Sequence, residues 1–509
     1  MRENLSRLQR ALCAMALAAA GCLFAALAVC GLRFTAHLTT QAGMSEFIAI
    51  TRDALLPNLA LTLAAILALG LVHRALVRFA RVRLTGALAA LWLAAALVFL
   101  LGAGTKQMYD FAYVVEGAQL FAQGNYKAMS VDYFNVCSYQ LGFCLPMEIV
   151  LRVFPSLDIN LFMQALNAAL TVASAGVLAA LCEVLAGKRA RHAAAALYLT
   201  CLPALFYCAF VYATLPMVFL CSCAFLCFAL YLRARRLALA IVCGACLAVA
   251  AMLKPNASIA LAAVIVCALV DCLTSRDWKL ALCLLLSAAL AALLARAAVW
   301  QYELRSGVTL TEDMSMLARL TMSLQRGGAQ AGWYNRYIER FYPFDVTAEQ
   351  ELAIARADLR EQLAAFAADP ATLGAFLRDK LLSQSLEPSF GTLWYGQISE
   401  QTGPFADAAR AVYAQGGSLR AALERVMAVW QQAIYLLAAV GTLAQLRRRG
   451  GAERLVLPVV ILGGFLYHMI FEAKSQYIYV YVLYMIPLAA QGLCAAEEAL
   501  ARAFKKKKG

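Results

Sequence analysis

Long apolar stretches alternate along this chain with short polar joins. Mostly apolar runs occupy 11–32, 54–73, 86–104, 160–187, 193–212, 214–232, 238–253, 257–274, 279–298, 429–446, 455–471 and 477–496. Each approaches the roughly 20 residues with which an α-helix crosses a ~30 Å hydrocarbon layer. The pattern predicts an all-α polytopic membrane protein with about twelve transmembrane helices. The first run is too long for the apolar core of a secretory signal and lacks a clear cleavage site, so it reads as a retained span. One further stretch, "SYQLGFCLPMEIVLRVF" (138–154), is apolar but carries Pro146, Glu148 and Arg152. It is expected to lie at the outer interface, or to dip in without crossing.

Two longer polar regions interrupt the pattern, 105–159 and 299–428. The expected organisation is an N-terminal transmembrane bundle over 1–298 that includes the first outer loop. A mostly helical extracytoplasmic region over 299–428 and C-terminal transmembrane helices with a basic tail over 429–509 follow. Within the larger region, "TAEQELAIARADLREQLAAFAADP" opens on a capping box, Thr347 with Gln350. Leu352, Leu359, Leu363 and Phe366 fall on one helical face, with Arg356 and Arg360 away from it. Asp369-Pro370 ends that helix, and a second is expected over roughly 371–386.

Charge orients the spans. The net charge is +14, and most of it lies in short clusters between apolar runs. These are Arg2/Arg7/Arg10, Arg74/Arg78/Arg81/Arg83, Lys188/Arg189/Arg191, Arg233/Arg235/Arg236, Arg276/Lys279, Arg447/Arg448/Arg449/Arg454 and Lys505–Lys508. With the N-terminus inside, twelve spans put every cluster in the cytoplasm, as the positive-inside rule requires. Counting 138–154 as a thirteenth would put the 188–191 cluster outside. No basic stripe or zinc pattern points to nucleic acid. The 63% hydrophobic and 15% charged composition lies far from that of a soluble domain. The seventeen cysteines sit mostly inside apolar runs, where thiols act as small hydrophobes. A Cys137–Cys144 bridge is not favoured, and four scattered histidines make no metal site.

Ionisable groups at a membrane edge are costly and invite functional readings. "TKQMYDFAYVVEGAQLFAQGNY" (105–126) brings Lys106 and Asp110 directly after a span. Asp110, Tyr113 and Gly117 share a helical face, and Glu116 points elsewhere. Asp110 fits both a general base toward an acceptor hydroxyl and a solvated first helical turn. "VDYFNVCSYQLGF" (131–143) gathers Asp132, Tyr133, Tyr139 and Gln140, a mixture that suits sugars and also an interfacial aromatic belt. Lys254-Pro255 interrupts an apolar run, either to hold a phosphate as a point charge or to snorkel. Glu472 and Lys474 lie between two spans, followed by Tyr477. They form a short turn with a surface ion pair, or a site for an anionic headgroup. No nucleotide-binding or GxSxG motif is present, so any activated donor is expected to be lipid-borne.

These stretches, in this order, resemble the bacterial GT-C superfamily of membrane glycosyltransferases, the group of protein O-mannosyltransferase-like and aminoarabinose-transferase-like enzymes. "MYDFAYVVEGAQLFAQGNY" resembles the family's first outer loop. "DYFNVCSYQLGFCLPMEIVLRVF" resembles the segment after it, and "LKPNASIALAAVIV" a Lys-Pro-Asn span start. "GGFLYHMIFEAKSQYIYVYVLYMIPLAAQGL" resembles a late pair of spans, and "KLLSQSLEPSFGTLWYG" (380–396) the polar outer region. Two positions depart from the family pattern. Cys137-Ser138-Tyr139 replaces a common Tyr-Pro, and Gln476 replaces a common Arg, which leaves Lys474 as the nearest cation.

The resemblance implies transfer of a sugar, with inversion, from a polyprenyl-phosphate donor to an extracytoplasmic glycan, lipid or protein. It implies a bacterial plasma membrane, both termini cytoplasmic and the active site outside. Asp110 is then the expected base. Lys254, Lys474 and Lys106 are the expected donor-phosphate ligands. Glu116, Asp132, Tyr133, Tyr139, Gln140, Arg336, Arg340, Glu472 and Tyr477 are the expected substrate contacts. No cofactor is implied, although a divalent metal is compatible. The principal rival is a transporter or flippase of lipid-linked saccharides, yet no matching halves of the inverted-repeat kind appear. A wall-polymer ligase and a non-catalytic envelope partner are the lesser rivals.

Overall fold

The computed structural model describes residues 2–41, 44–80, 84–130, 132–310, 315–341, 346–447 and 451–506. Nine helices among them are long and apolar enough to cross a membrane by length and composition. They are Glu3–Arg33, Leu55–Arg78, Leu84–Ala103, Ile159–Ala186, Thr214–Ala234, Ala257–Ser275, Lys279–Ser306, Ser418–Leu446 and Ser475–Ala503. Leu237–Leu253 and Val456–Ile470 are shorter apolar helices. These eleven match eleven of the expected spans.

The remaining expected span, 193–212, is broken. Lys188–Leu199 and Leu202–Tyr207 are separate helices. Pro203 has no N–H and disfavours helix at the residue before it. The Thr200 hydroxyl turns back onto the Ala196 carbonyl (2.8 Å) and the Leu197 carbonyl (3.1 Å), which closes the first helix. The backbone beyond Tyr207 then lacks helical partners in a buried setting. Amide side chains from elsewhere supply them. Gln164 Nε2 donates to the Ala209 carbonyl (2.8 Å), Asn167 Nδ2 to that of Phe210 (3.0 Å), and Gln107 Nε2 to that of Ala209 (3.0 Å). Val211 N–H donates to Gln107 Oε1 (2.9 Å).

Residues 34–52 form a feature absent from the apolar pattern. Strands Phe34–Gln41 and Met44–Arg52 pair antiparallel, with Phe34 opposite Arg52. The hairpin is tied to the outer region by Ala36 N–H on the Leu386 carbonyl (3.0 Å) and Ile48 N–H on the Ala329 carbonyl (3.2 Å). The 138–154 segment forms the helix Leu141–Val153, with Pro146 inside it. Thirteen residues rise about 20 Å, too short to cross. Its buried Glu148 pairs with Arg152 (2.7 Å) and accepts from Arg305 Nη2 (2.9 Å).

The expected outer helices are Ala348–Ala368 and Pro370–Ser385. Thr347 and Gln350 make the reciprocal capping box. Asp369 ends one helix and caps the next, accepting from Ala371 N–H (3.0 Å). Of the expected face Phe366 is buried, whereas Leu352 and Leu363 are exposed and Ala355, not among the expected residues, is buried. Small Ala355 allows close approach, and its carbonyl accepts from the Thr321 hydroxyl (3.0 Å). Phe366 packs on Phe376 at 5.2 Å.

Helices Ser418–Leu446 and Ser475–Lys506 meet through two glycines. A Cβ on Gly492 would overlap the Leu437 carbonyl oxygen, and one on Gly441 the Leu488 carbonyl oxygen. Small residues let helix backbones touch in this way where no water-driven force joins them. Gly492→Ala is therefore expected to force the two backbones apart and cost about 2–3 kcal/mol. A clear fall in the thermal midpoint of detergent-purified protein checks this; an unchanged midpoint would refute the close contact.

Candidate functional site

The opening loop is pinned before it reaches Asp110. The Thr105 carbonyl accepts from Asn160 Nδ2 (3.1 Å) and Gln164 Nε2 (2.8 Å), and its hydroxyl donates to Gln401 Oε1 (2.7 Å). Gln107 is fixed by the broken span. Tyr109 then adopts φ 50°, a left-handed value unusual for a bulky residue, and Asp110 starts the helix Asp110–Ala122. The Asp110 carboxylate has no hydrogen-bond or ion-pair partner among the described residues. It opens to water on one side, with protein packed densely around the rest of it. That enclosure pushes its carboxyl above the ordinary carboxylate range. Lys474 and Lys254 pull it down, and Glu46 pushes it further up.

Three cations and three carboxylates meet here. Lys474 Nζ is 2.6 Å from Glu46 Oε1, with both side chains mostly buried, and lies 6.0 Å from the Tyr395 ring centroid. Its pKa is raised; burial works against the charge, and Glu46, Tyr477 and Glu472 together more than offset that. Lys254 follows the helix Leu237–Leu253, is 9% exposed and donates to Thr214 Oγ1 at 2.8 Å. Its Nζ sits 4.1 Å from the Tyr212 ring centroid. With no carboxylate in contact, burial lowers it to about 7, against a smaller upward pull from Asp110. Glu472 is raised to about 6 by burial, with Lys474 opposing. Arg319 donates to the Val136 carbonyl (3.2 Å), and its charge reaches Glu472.

Aromatic rings floor the cluster. Phe111 packs edge-on against Tyr212 (5.2 Å) and Tyr395 (5.0 Å). Tyr395 donates to Gln476 Oε1 (2.6 Å), so a hydroxyl holds that amide in place. Gln140 donates to the Tyr212 hydroxyl. Tyr133 stacks on Tyr113 (4.5 Å), and its buried hydroxyl has no partner. Tyr139 lies within the electrostatic reach of Tyr212 and Arg319. Tyr477 stacks on His468 (5.0 Å).

Asp110, Lys254, Lys474, Glu472, Tyr133, Tyr139, Gln140 and Tyr477 thus gather around one region. Four other candidates do not join it. Lys106 pairs with Glu400 (3.4 Å), both largely exposed. Glu116 is exposed on another face of its helix and enters none of these contacts. Arg336 is held by Glu339 and Arg340 by Asp358, each at 2.8 Å. The Asp132 side chain lies outside the described residues. Among those described, no three His, Cys, Asp or Glu residues are grouped to hold a metal, and all seventeen cysteines are free thiols.

Glu46, Arg319 and Tyr395 are contributors that composition did not single out. For Glu46 a signal exists: "FTAHLTTQ" and "MSEFIAITR", rich in β-branched residues, flank Ala-Gly, a hairpin pattern.

No protein-family model and no curated protein matches the chain. Solved structures do show similarity. The apo oligosaccharyltransferase of Archaeoglobus fulgidus is 13% identical at a TM-score of 0.43, over 84% of this chain and 52% of that one. AglB from the same organism, in complex with an inhibitory peptide and a dolichol-phosphate, is 13% identical at 0.41 over the same shares. Apo ArnT from Cupriavidus metallidurans is 14% identical at 0.34, over 82% of this chain and 78% of that one. The chain spans about half the length of the archaeal protein, 52%. At TM-scores below 0.5, these likenesses assign neither an activity nor a substrate.

Removing Glu46 leaves Lys474 buried without its contact partner. Glu46→Ala is expected to cost roughly 3 kcal/mol, and Glu46→Asp less. Chemical or thermal unfolding of the purified variants measures it; equal midpoints for Ala and wild type would rule out a stabilising pair.

Proposed function

We propose that this protein is a membrane glycosyltransferase of the GT-C kind, moving a sugar from a polyprenyl-phosphate donor to a hydroxyl-bearing acceptor. One juxtaposition carries the reading. A carboxylate with no partner among the described residues, Asp110, exerts an electrostatic pull on a buried lysine, Lys254, which lines the polar end of an apolar cleft. The cleft is narrow and lies between helices Thr214–Ala234, Ala257–Ser275, Val456–Ile470 and Ser475–Lys506. Met217, Ala260, Val460 and Val480 wall it, and Lys254 and Gln476 lie at its head. An isoprenoid chain suits such walls, and its phosphate suits the lysine. The five resembling sequence stretches support the same reading.

The chemistry follows from these groups. The acceptor O–H gives its proton to the Asp110 carboxylate as its oxygen bonds to the anomeric carbon. The bond from that carbon to the phosphate oxygen breaks on the opposite face, so configuration inverts. The departing phosphate gains negative charge, which Lys254 and Lys474 stabilise. Asp110 without a partner and with a raised pKa is poised to take a proton. Lys254 is about half charged near neutrality before the donor arrives, and an anion beside it favours its charged form.

Membranes carrying Asp110→Asn are expected to transfer radiolabelled sugar from polyprenyl-phosphate donors at least ~100-fold more slowly than wild type. Equal rates would remove Asp110 as the base. Movement of the donor across vesicles without any transfer would instead make the protein a flippase.

The pH profile supplies a second test. Activity requires Asp110 deprotonated, so kcat/KM rises with pH through its raised pKa. It requires Lys254 protonated, so kcat/KM falls through about 7. Bound anionic donor raises the Lys254 pKa, and the alkaline limb of kcat is expected above that of kcat/KM. Lys254→Arg is expected to abolish the limb near 7; a limb that persists there belongs to another group.

A further inference from the structure

Helix Ser475–Lys506 carries a second cluster at its far end. Glu498 lies 24 residues beyond Lys474, about 36 Å along a helix and so near one bilayer thickness away. There the ends of Ile159–Ala186, Ser418–Leu446 and Ser475–Lys506, with the start of Lys188–Leu199, line an open cavity of about 60 Å³. Arg189, Gln445, Gln491 and Glu498 supply its polar lining. None of them belongs to the Asp110 site.

Two features point to a ligand. Gln445 is only 3% exposed, and its Oε1 has no hydrogen-bond partner among the described residues. A buried acceptor left unmade costs on the order of 1–3 kcal/mol, so this oxygen calls for an N–H or O–H from an occupant. At the mouth, charges of both signs stand open. The Glu498 carboxylate is 41% exposed, and the Arg189 guanidinium is 48% exposed. Arg189 donates to Glu497 at 2.7 Å and pairs with Glu498 at 4.0 Å, and Glu498 also accepts from the exposed Arg502 at 3.4 Å; both contacts to Glu498 are long, so its carboxylate keeps capacity for a closer donor. Exposed Leu446 and Leu500 border this end, a surface suited to acyl chains.

We propose that this cavity binds the headgroup of a phosphoethanolamine-type lipid. Its primary ammonium donates to Gln445 Oε1 and Glu498, and its phosphate lies against Arg189. The requirement for an N–H donor separates this headgroup from phosphocholine, whose quaternary nitrogen has none. The need for an acid at the mouth separates it from phosphatidylglycerol.

Native mass spectrometry of the detergent-purified full chain tests the proposal, with phosphatidylethanolamine, phosphatidylcholine and phosphatidylglycerol of matched acyl chains. Ethanolamine adducts are expected to exceed choline adducts roughly fivefold, the effect of about one hydrogen bond. Gln445→Leu and Glu498→Gln should each bring them down to the choline level, while Asp110→Asn should leave the preference intact. Glu498→Gln, at the open mouth, keeps the test available if Gln445→Leu does not fold. Equal retention of the three lipids, a preference for phosphatidylglycerol, or an ethanolamine preference that survives in the folded variants would overturn the proposal.

Discussion

Backbone polar groups in an apolar interior must find partners, and this constraint organises the molecule. The break after Leu199 is the decisive case. Helix stops there because Pro203 cannot continue it, and the carbonyls of Ala209 and Phe210 turn into the interior without helical donors. Gln107, Gln164 and Asn167 satisfy them. Gln107 belongs to the loop that leads into Asp110, and Gln164 also grips the Thr105 carbonyl. A defect in one span thereby fixes the approach to a carboxylate in another part of the chain. The strained backbone of Tyr109 is held between that anchored loop and the helix it begins.

Charge is managed differently at the two lysines, and the difference has chemical consequences. Lys474 is neutralised by direct contact with Glu46, which the hairpin brings in. A lysine so paired stays cationic over the whole useful pH range and can orient an anion without changing state. Lys254 has only a hydroxyl and the face of Tyr212. It sits near the balance between charged and neutral, so the site holds one fixed and one responsive cation. The pairing of Lys474 also limits how strongly it attracts a donor, since Glu46 competes for the same ammonium. The unpaired Lys254 meets no such competition.

The span pattern was legible in the sequence because it follows from the energetics of apolar groups in a bilayer. Thr347 and Gln350 were legible because a capping box is local. The broken span was not, because hydropathy averages over Pro203 and registers no amide side chain from another helix. Arg336 and Arg340 were chosen for their type among aromatics. Their local acids, Glu339 and Asp358, hold them in the outer region, and composition alone does not reveal such pairings. Glu46 was hidden because a nine-residue strand between spans leaves no mark on a twenty-residue window. Its alternation was readable on its own scale.

Helix Ser475–Lys506 ties the local arrangements together. Its first turn follows Glu472 and Lys474, its middle presses Gly492 against Leu437, and its last turns carry Glu497 and Glu498. The glycine contact sets how deeply the helix sits against Ser418–Leu446, so it bears on both ends at once. At one end it determines where Gln476 and Tyr477 meet Lys254 in the apolar cleft. At the other it determines the gap between Gln445 and Glu498. Pro487, inside the helix and close to that contact, has no N–H to give the helical ladder, so the two ends are set by their own packing as well as by the glycine contact.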